Sequence, residues 1–469
     1  MPGLIPDRPS IVSIRMNVRT RPSILLALAL LALLVAACGG APPLPSGEVT
    51  TSPSPVASAT SSPVAAASPS PSRAPLPLSP TQALIEQLTA RIEADGSDGA
   101  AHRDLGLALL QRIRETADPS LYEPAFAALE TARKLLPEDP VVLLGIGGLQ
   151  LGRHEFADAL ATAEETLTLA PGFASALAVQ ADALVELGRY DDAVAAAQQL
   201  VDARTDLPSL ARVSYLRELY GDIAGALDAM EQAAQSAAVA PENTAFVKSI
   251  VGNLSVYAGR PEEAQAAYED VLELVPDHAP SEAGLGRLAV GKGDYATALR
   301  HFERASAILP LPEYVIALGE TQEASGDTAA AKRSYDLARA ENQLFQASGV
   351  IVDLELALFE ADHGDPAVAL TLAQQAYDDR ATIRTADALA WALHRLGRSK
   401  EAERYVKESL ALGTKDPLLR YHAGMIASAV GRTEDARALL MEALALDPGF
   451  SATGALAART ELERLGQTP

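Results

Sequence analysis

Small, aromatic and apolar residues recur at a fixed spacing through the middle of the chain. A glycine is followed five residues later by alanine, nine later by an aromatic residue and twelve later by a small or apolar residue. Three consecutive sets show it: Gly259, Ala264, Tyr268 and Val271; Gly293, Ala298, Phe302 and Ala305; Gly326, Ala331, Tyr335 and Ala338. The sets lie 33 or 34 residues apart, and a period of this length predicts stacked helical repeats.

The pattern resembles the tetratricopeptide repeat, a helix–turn–helix unit. The fullest match comprises Leu285, Gly286, Gly293, Asp294, Tyr295, Ala298, Phe302, Ala305 and Pro310. The resemblance implies that Gly286 lets paired helices approach closely and that Gly293 ends the first helix in a left-handed conformation. Ala298 is expected where the two helices meet, and Phe302 in the gap to the neighbouring unit. Pro310 is expected to end the second helix, because proline cannot continue the hydrogen-bond ladder.

Ten such units are in phase between residues 80 and 469, and the first carries an insertion at residues 111–122. The resemblance therefore implies an all-α fold, a right-handed superhelix (α-solenoid) of about ten helix–turn–helix repeats at residues 81–451. Residues 452–469 are expected to form a capping helix that shields the last apolar face.

An uninterrupted apolar run at residues 24–37 follows several arginines near the N-terminus. Its 14 residues are short for a membrane-spanning helix, which needs about 20, and they are typical of a signal-peptide core. Residues 1–37 are therefore predicted to be a signal peptide, with Met1 or Met16 as its first residue.

The apolar run ends in Leu34, Val35, Ala36, Ala37 and Cys38, which resembles the lipobox of bacterial lipoproteins. That resemblance implies cleavage before Cys38 and attachment of a diacylglycerol to its sulfur. Two acyl chains are enough for stable anchoring in a membrane. The alternatives are an ordinary secreted protein and a buried apolar helix with an incidental cysteine.

Residues 38–80 consist almost entirely of Gly, Ala, Pro, Ser, Thr and Val after the cysteine. A segment with so little large apolar surface cannot offset the entropy of ordering, so it is predicted to be a disordered tether. The tether would hold the array away from the membrane, on the extracytoplasmic side.

Composition narrows the range of functions. Hydrophobic residues make up 48% of the chain but aromatic residues only 4%, so the core is expected to consist of Ala and Leu in close-packed helices. A net charge of −23 gives the chain no electrostatic reason to bind nucleic acid. The single cysteine excludes a disulfide bond within the chain.

In tetratricopeptide-repeat proteins the inner helices line a concave groove that binds peptides, helices or whole proteins. The residues at the corresponding positions are Asp182, Tyr215, Phe246, Asn253, Tyr257, Arg287, Glu320, Trp391, His394, Tyr421 and Met425. Tyr, Trp and Arg are typical anchor residues of interfaces. The other open interpretation is that these aromatic residues fill space between helices.

Several chemical motifs in the chain have simpler explanations. Gly286, Gly291 and Lys292 have the spacing of a phosphate-binding loop, but that loop needs a preceding strand and a Ser or Thr after the lysine. The seven histidines show no zinc-ligand spacing, and the densest polar cluster, around Asp362 and His363, falls on a predicted turn. The chain is therefore predicted to be non-catalytic, without metal or cofactor.

Two functions follow as expectations. The first is a membrane-anchored, non-catalytic scaffold that binds proteins or peptides at the cell envelope. The alternative is an envelope assembly or ligand-capture factor that binds a cell-wall or secreted component. The binding chemistry of the repeat favours the first.

Overall fold

The computed structural model describes residues 79–236 and 240–466, and these residues form 22 α-helices and no strand. The predicted signal peptide at residues 1–37, Cys38 and nearly all of the predicted tether lie outside the described residues. Residues 467–469 of the predicted capping segment also lie outside them.

Twenty of the described helices form ten pairs, each joined by a short turn or, in the first pair, by a longer insertion. Pairs one to five are α2 (Gly99–Thr116) with α3 (Tyr122–Leu135), α4 (Pro140–Gly152) with α5 (Phe156–Leu169), α6 (Ala174–Glu186) with α7 (Tyr190–Ala203), α8 (Leu207–Leu219) with α9 (Ile223–Ser236), and α10 (Pro241–Tyr257) with α11 (Pro261–Leu274). The insertion in the first pair contains a short 3-10 helix, Pro119–Leu121.

Pairs six to ten continue in the same order. They are α12 (Ala279–Gly291) with α13 (Tyr295–Ile308), α14 (Pro312–Ala324) with α15 (Thr328–Ala347), α16 (Asp353–His363) with α17 (Pro366–Asp379), α18 (Ile383–Arg395) with α19 (Ser399–Ser409), and α20 (Pro417–Ala429) with α21 (Thr433–Leu446). Two helices flank the pairs, α1 (Pro80–Ala94) and α22 (Ala452–Arg464). The predicted all-α solenoid of about ten repeats is confirmed.

Local sequence signals set the helix ends where they were expected. Gly293 has a φ of +73°, and the Asp294 side chain accepts a hydrogen bond from the backbone N–H of Thr297 at 3.1 Å to begin α13. Pro310 follows the end of α13 at Ile308. Lys292 lies at the end of α12 and donates to the Gln265 side chain, so the phosphate-loop spacing is part of an ordinary repeat turn.

Packing within several pairs depends on one small residue that faces one large residue. A β-carbon at Gly286 would stand 2.9 Å from the Phe302 ring, so glycine is what allows α12 and α13 to approach. Phe302 therefore packs against its own unit, in a core cluster that also includes Ala317 and Leu318 of the next unit. Ala298 and Ala305 are fully buried at the same contact, where larger side chains would not fit.

The early pairs touch the late pairs along a line that we call the seam. In the seam, turns of pairs two, three and four and the end of α12 meet the loops that precede α16, α18, α20 and α22. The Ile351 N–H donates to the Arg153 carbonyl at 3.0 Å, and the Ile383 N–H donates to the Tyr190 hydroxyl at 3.1 Å. The solenoid is therefore closed on itself along this line.

The helix α22 takes part in the same closure. It packs against α20 and α21, and also against α14 of the seventh pair. Its capping residue Ser451 donates a hydrogen bond to the Glu320 carboxylate at 2.7 Å. The segment therefore connects two distant pairs in addition to covering the last one.

Candidate binding surface

Arg287 contacts residues on both sides of the seam, near the end of α12. Its guanidinium donates to Asn253 Oδ1 at 3.0 Å, and its Cζ lies 5.9 Å from the centre of the Tyr257 ring. Its Nε lies 3.3 Å from Asp447 Oδ2, in a loop of the late pairs, and Asp447 is only 2% exposed. Arg287 thus contacts two other predicted groove residues and a buried carboxylate of the same chain.

Tyr215 lies further along the seam, on α8. Burial raises the pKa of its phenol, and the nearby Arg384 guanidinium opposes this rise. Glu218, one turn later on α8, has its pKa raised to about 7 by burial, with Arg384, Asp416 and Arg287 as its charged neighbours. Charged groups from early and late pairs therefore lie near one another across the seam.

Asp182, a predicted groove residue of α6, forms an ion pair within the array. Its carboxylate accepts from the Arg212 guanidinium at 2.6 Å and 2.9 Å. Burial raises the pKa of Asp182 to about 6, against the opposing charge of Arg212. This pair joins α6 to α8.

Phe246 and Trp391 lie in hydrophobic cores. Phe246 is 3% exposed and packs with Leu210 and Met230. Trp391 is 1% exposed, and its indole N–H donates to Asp362 Oδ1 at 2.8 Å. For these residues the structure gives the space-filling role that the sequence leaves open, and neither offers its ring to a partner in this conformation.

The other predicted groove residues of the late pairs surround Trp391. The ring of Tyr421 lies 5.5 Å from the indole and that of His394 lies 5.0 Å from it, while Met425 is partly buried against the same core. Burial lowers the pKa of His394 to about 4, and its Nδ1 lies 2.9 Å from Ser399 Oγ. Partner binding by these residues stays a prediction.

His422 was not among the predicted residues, yet it forms a buried ion pair beside this core. Its Nδ1 lies 2.8 Å from Asp387 Oδ2, and its ring stacks on Trp391 with centres 4.1 Å apart. Burial lowers the pKa of His422, but the charge of Asp387 and its hydrogen bond outweigh burial, so the net shift is upward. In the described residues, His422 Nε2 has no hydrogen-bond partner.

The polar cluster around Asp362 and His363 has structural partners. His363 Nε2 lies 3.3 Å from Glu320 Oε1, and its ring stacks on Tyr335 with centres 4.1 Å apart. Across the described residues, no group of three or more His, Cys, Asp or Glu could hold a metal ion. None of the helices described is both long enough and apolar enough to cross a membrane.

Sequence reasoning missed four residues that complete the seam: Glu218, Arg384, Asp416 and Asp447. Asp416 accepts from the backbone N–H groups of Leu418 and Leu419, so in the sequence it is an ordinary helix-capping residue. No signal in one sequence marks these residues, because the spacing within a repeat says nothing about which distant repeats touch.

Comparison with known families identifies the repeat. Tetratricopeptide-repeat models match residues 144–208, 179–247, 256–318 and 419–450. These matched segments of the array contain tetratricopeptide repeats. Proteins with this fold generally bind protein or peptide partners. A search of curated proteins finds no match to the chain.

Several solved structures of low sequence identity are similar to this chain. The Cut9–Hcn1 hetero-tetramer of the APC/C is 14% identical, with a TM-score of 0.31, over 83% of this chain and 96% of that chain. A thermophilic TPR protein of Thermus thermophilus is 21% identical, with a TM-score of 0.35, over 44% of this chain and 98% of that one. The human IFIT1 dimer with PPP-AAAA is 15% identical, with a TM-score of 0.44, over 70% of this chain and 77% of that one.

Proposed function

We propose that the protein is a membrane-anchored lipoprotein whose repeat array binds protein partners at the cell envelope without catalysis. The tetratricopeptide-repeat array is the observation that carries the scaffold role, since its chemistry is binding. The lipobox-like residues that end at Cys38 support the anchor and the extracytoplasmic location.

The anchor is tested by changing Cys38→Ala in the full chain, with Ser54→Ala in the tether as the matched control. The expected result is that Cys38→Ala either moves to the soluble fraction or remains as a larger, uncleaved form, whereas Ser54→Ala stays with the membrane at the processed size. Equal detergent partitioning and equal size of both variants would remove the anchor from the proposal.

The scaffold role is tested by crosslinking in intact cells, followed by purification and mass spectrometry. The expected result is a small, reproducible set of envelope proteins that disappears when Tyr257→Ala alters the seam. Leu344→Ala is the control, because Leu344 is 60% exposed on the outer helix α15. If no protein exceeds background while the array is folded, protein scaffolding is the wrong function.

The alternative function is capture of a small envelope component. One observation favours it. Tyr257 and Arg287 face the late pairs across the seam. A protein helix would reach these two residues only after the late pairs had been displaced. A small ligand could enter without separating the early and late pairs. Ligand capture predicts binding by the purified chain in the absence of any protein partner.

A further inference from the structure

Arg380 lies buried in the seam, where the eighth pair meets the second. It directly follows α17, and its N–H donates to the Ala376 carbonyl at 3.1 Å. Its own carbonyl accepts from the Thr382 N–H at 3.0 Å and from the Thr385 hydroxyl at 2.6 Å. The residue is 9% exposed, and its Cζ lies 4.7 Å from the centre of the Phe156 ring. A fixed backbone therefore holds an arginine of the late pairs on an aromatic ring of the early pairs.

The corresponding position of the tenth pair shows how a charge is accommodated here. Asp447 directly follows α21 as Arg380 follows α17, and both are buried. Asp447 has an opposite charge across the seam, with its Oδ2 3.3 Å from Arg287 Nε. Other pairs have an apolar residue at this position, such as Leu136 and Val275. A charged residue at this position therefore requires an opposite charge.

Arg380 has no opposite charge in the part of its own chain that the structure describes. Within residues 79–236 and 240–466, its guanidinium forms no hydrogen bond and no carboxylate lies within 4.0 Å of it. The Phe156 ring attracts the cation but supplies no full negative charge. A buried charge without a partner costs free energy, which binding of an outside anion would offset. Solvent still reaches the guanidinium nitrogens, so such a group can contact Arg380 without separating the pairs.

Two exposed apolar side chains lie beside this arginine, one from each side of the seam. The His154 ring stacks on the Phe156 ring with centres 5.4 Å apart, and its Nδ1 lies 2.6 Å from the carbonyl oxygen of Ile351. Ile351 belongs to the loop before α16 and is 40% exposed. The Ile351 N–H donates to the Arg153 carbonyl, and the Arg153 Cζ lies 5.9 Å from the centre of the Phe126 ring. Phe126, on α3, is 37% exposed.

Arg380, Ile351 and Phe126 form a surface that we call the docking strip. Its members come from the first pair and from the loops around the eighth, so they lie together only while the solenoid is closed. The other arginine of this region, Arg153, already has a partner, since its Nε lies 3.3 Å from Glu155 Oε1. The docking strip therefore presents one unpaired positive charge next to apolar surface. A single charge matches one carboxylate better than a phosphate group that carries nearly two.

We propose that the docking strip binds a protein partner through an aspartate or glutamate that stands next to an apolar residue. The partner's carboxylate pairs with the Arg380 guanidinium, whose N–H donors match two carboxylate oxygens. The neighbouring apolar side chain lies on Ile351 and removes apolar surface from water. This inference rests on the proposed scaffold role, because it names where on the array a protein partner docks and by which chemistry.

The experiment uses a display library of random short peptides, selected on the purified full chain in detergent. We expect the peptides that are enriched on wild type but not on Arg380→Met to share an acidic residue beside an apolar one. The net charge of −23 would by itself favour basic peptides, so acidic ones indicate a local site. Arg398→Met is the control and should enrich the same peptides as wild type, because Arg398 pairs with Glu401 on an exposed turn.

A synthetic peptide of the enriched sequence then gives the affinity. Its Asn or Gln analogue should bind roughly tenfold more weakly, because the analogue keeps the shape but loses the charge. Arg380→Met should cause a loss of similar size and Ile351→Ser a smaller one. Acetate should compete with the peptide at least as well as inorganic phosphate at equal ionic strength.

Three results would overturn the proposal: no enriched peptide depends on Arg380, the uncharged analogue binds as tightly as the parent peptide, or phosphate competes better than acetate. If Arg380→Met does not fold, Ile351→Ser replaces it in the selection, since that change alters an exposed side chain. The docking strip and the scaffold role fail separately. Crosslinked partners that all persist in folded Arg380→Met remove the docking strip alone, whereas the absence of crosslinked partners from wild type removes the scaffold role.

Discussion

The backbone of Gly188 lies so close to the Ala381 carbonyl that a β-carbon at Gly188 would stand 2.5 Å from that oxygen. Gly188 is the turn glycine of the third pair, and Ala381 lies in the loop before α18. A glycine that the repeat requires for its own turn therefore also permits the early and late pairs to meet. Gly221 has the same relationship to the Gly413 carbonyl.

Replacing Gly188→Ala should open the seam locally. Gly188 has a φ of +71°, so alanine costs about 1–2 kcal/mol from the left-handed conformation alone. The clash with Ala381 should add roughly 1–3 kcal/mol, as overpacking does elsewhere. Denaturant unfolding measures the total, and small-angle scattering should show a larger radius of gyration.

Gly259→Ala is the matched control for that change. Gly259 has the same φ of +71° in the turn of the fifth pair, but nothing lies within 4 Å of the position its β-carbon would occupy. It should show only the conformational cost and an unchanged radius of gyration. Equal effects of the two substitutions would mean that the contact at Ala381 contributes nothing to closure.

Arg287→Met should be strongly destabilising because it leaves Asp447 buried without its cation. Removing one partner of a buried ion pair costs roughly 3–5 kcal/mol. Burial raises the pKa of Asp447, and Arg287 opposes this rise, so the variant should raise that pKa further. A carboxyl whose folded-state pKa exceeds its unfolded value loses stability as pH rises through the folded value.

The loss in free energy of unfolding caused by Arg287→Met should therefore be larger at about pH 8 than at about pH 4, where the Asp447 carboxyl binds a proton. Urea unfolding at both values measures it. Lys248→Met is the control, since Lys248 and Asp270 form an exposed pair worth less than about 1 kcal/mol. If the loss of stability caused by Arg287→Met does not change with pH, Asp447 is not the buried partner that Arg287 stabilises.

The repeat could be predicted from the sequence because its causes are local. Gly293, Ala298 and Pro310 each act on the helix in which they lie or on the next one, so their spacing is sufficient to place them. Ten units in one phase then predict an all-α solenoid. The same reasoning found the inner helix positions but could not say what those positions would face.

The seam could not be predicted because its partners are far apart in the chain. Arg287 and Asp447 meet only because the curvature of pairs six to ten brings them together, and small packing differences in each pair add up to that curvature. Gly188 and Gly259 are alike in the sequence pattern, yet only Gly188 touches a distant loop. An open groove was therefore the natural expectation for residues such as Tyr257.

Ala298→Leu tests the packing within a pair. Ala298 is fully buried where α13 meets α12, so a larger side chain should destabilise the protein by roughly 1–3 kcal/mol through overpacking. Ala296→Leu on the same helix is the control, because Ala296 is exposed. Thermal unfolding of both variants measures the difference, and equal melting temperatures would contradict the phase assigned to this repeat.

The chain contains a single tryptophan, so the emission of Trp391 should report the charge of His422, whose ring stacks on it at 4.1 Å. A protonated imidazole accepts an electron from an excited indole more readily than a neutral one, so emission should be quenched while His422 is charged. The pKa of His422 is lowered by burial but raised more by Asp387, with Asp362 and Asp416 adding to the rise.

Emission should therefore increase as pH rises through a value above 6.5, the ordinary pKa of histidine. The His422–Asp387 pair should stabilise the folded protein below pH 6.5, and this stabilisation should be lost over the same rise in pH. The reason is that the pKa of His422 is higher in the folded than in the unfolded protein. Substituting His422→Gln should abolish the transition. His394→Gln should preserve it, because His394 has its pKa lowered to about 4 and stays neutral throughout. A transition that survives in His422→Gln would show that another group quenches Trp391.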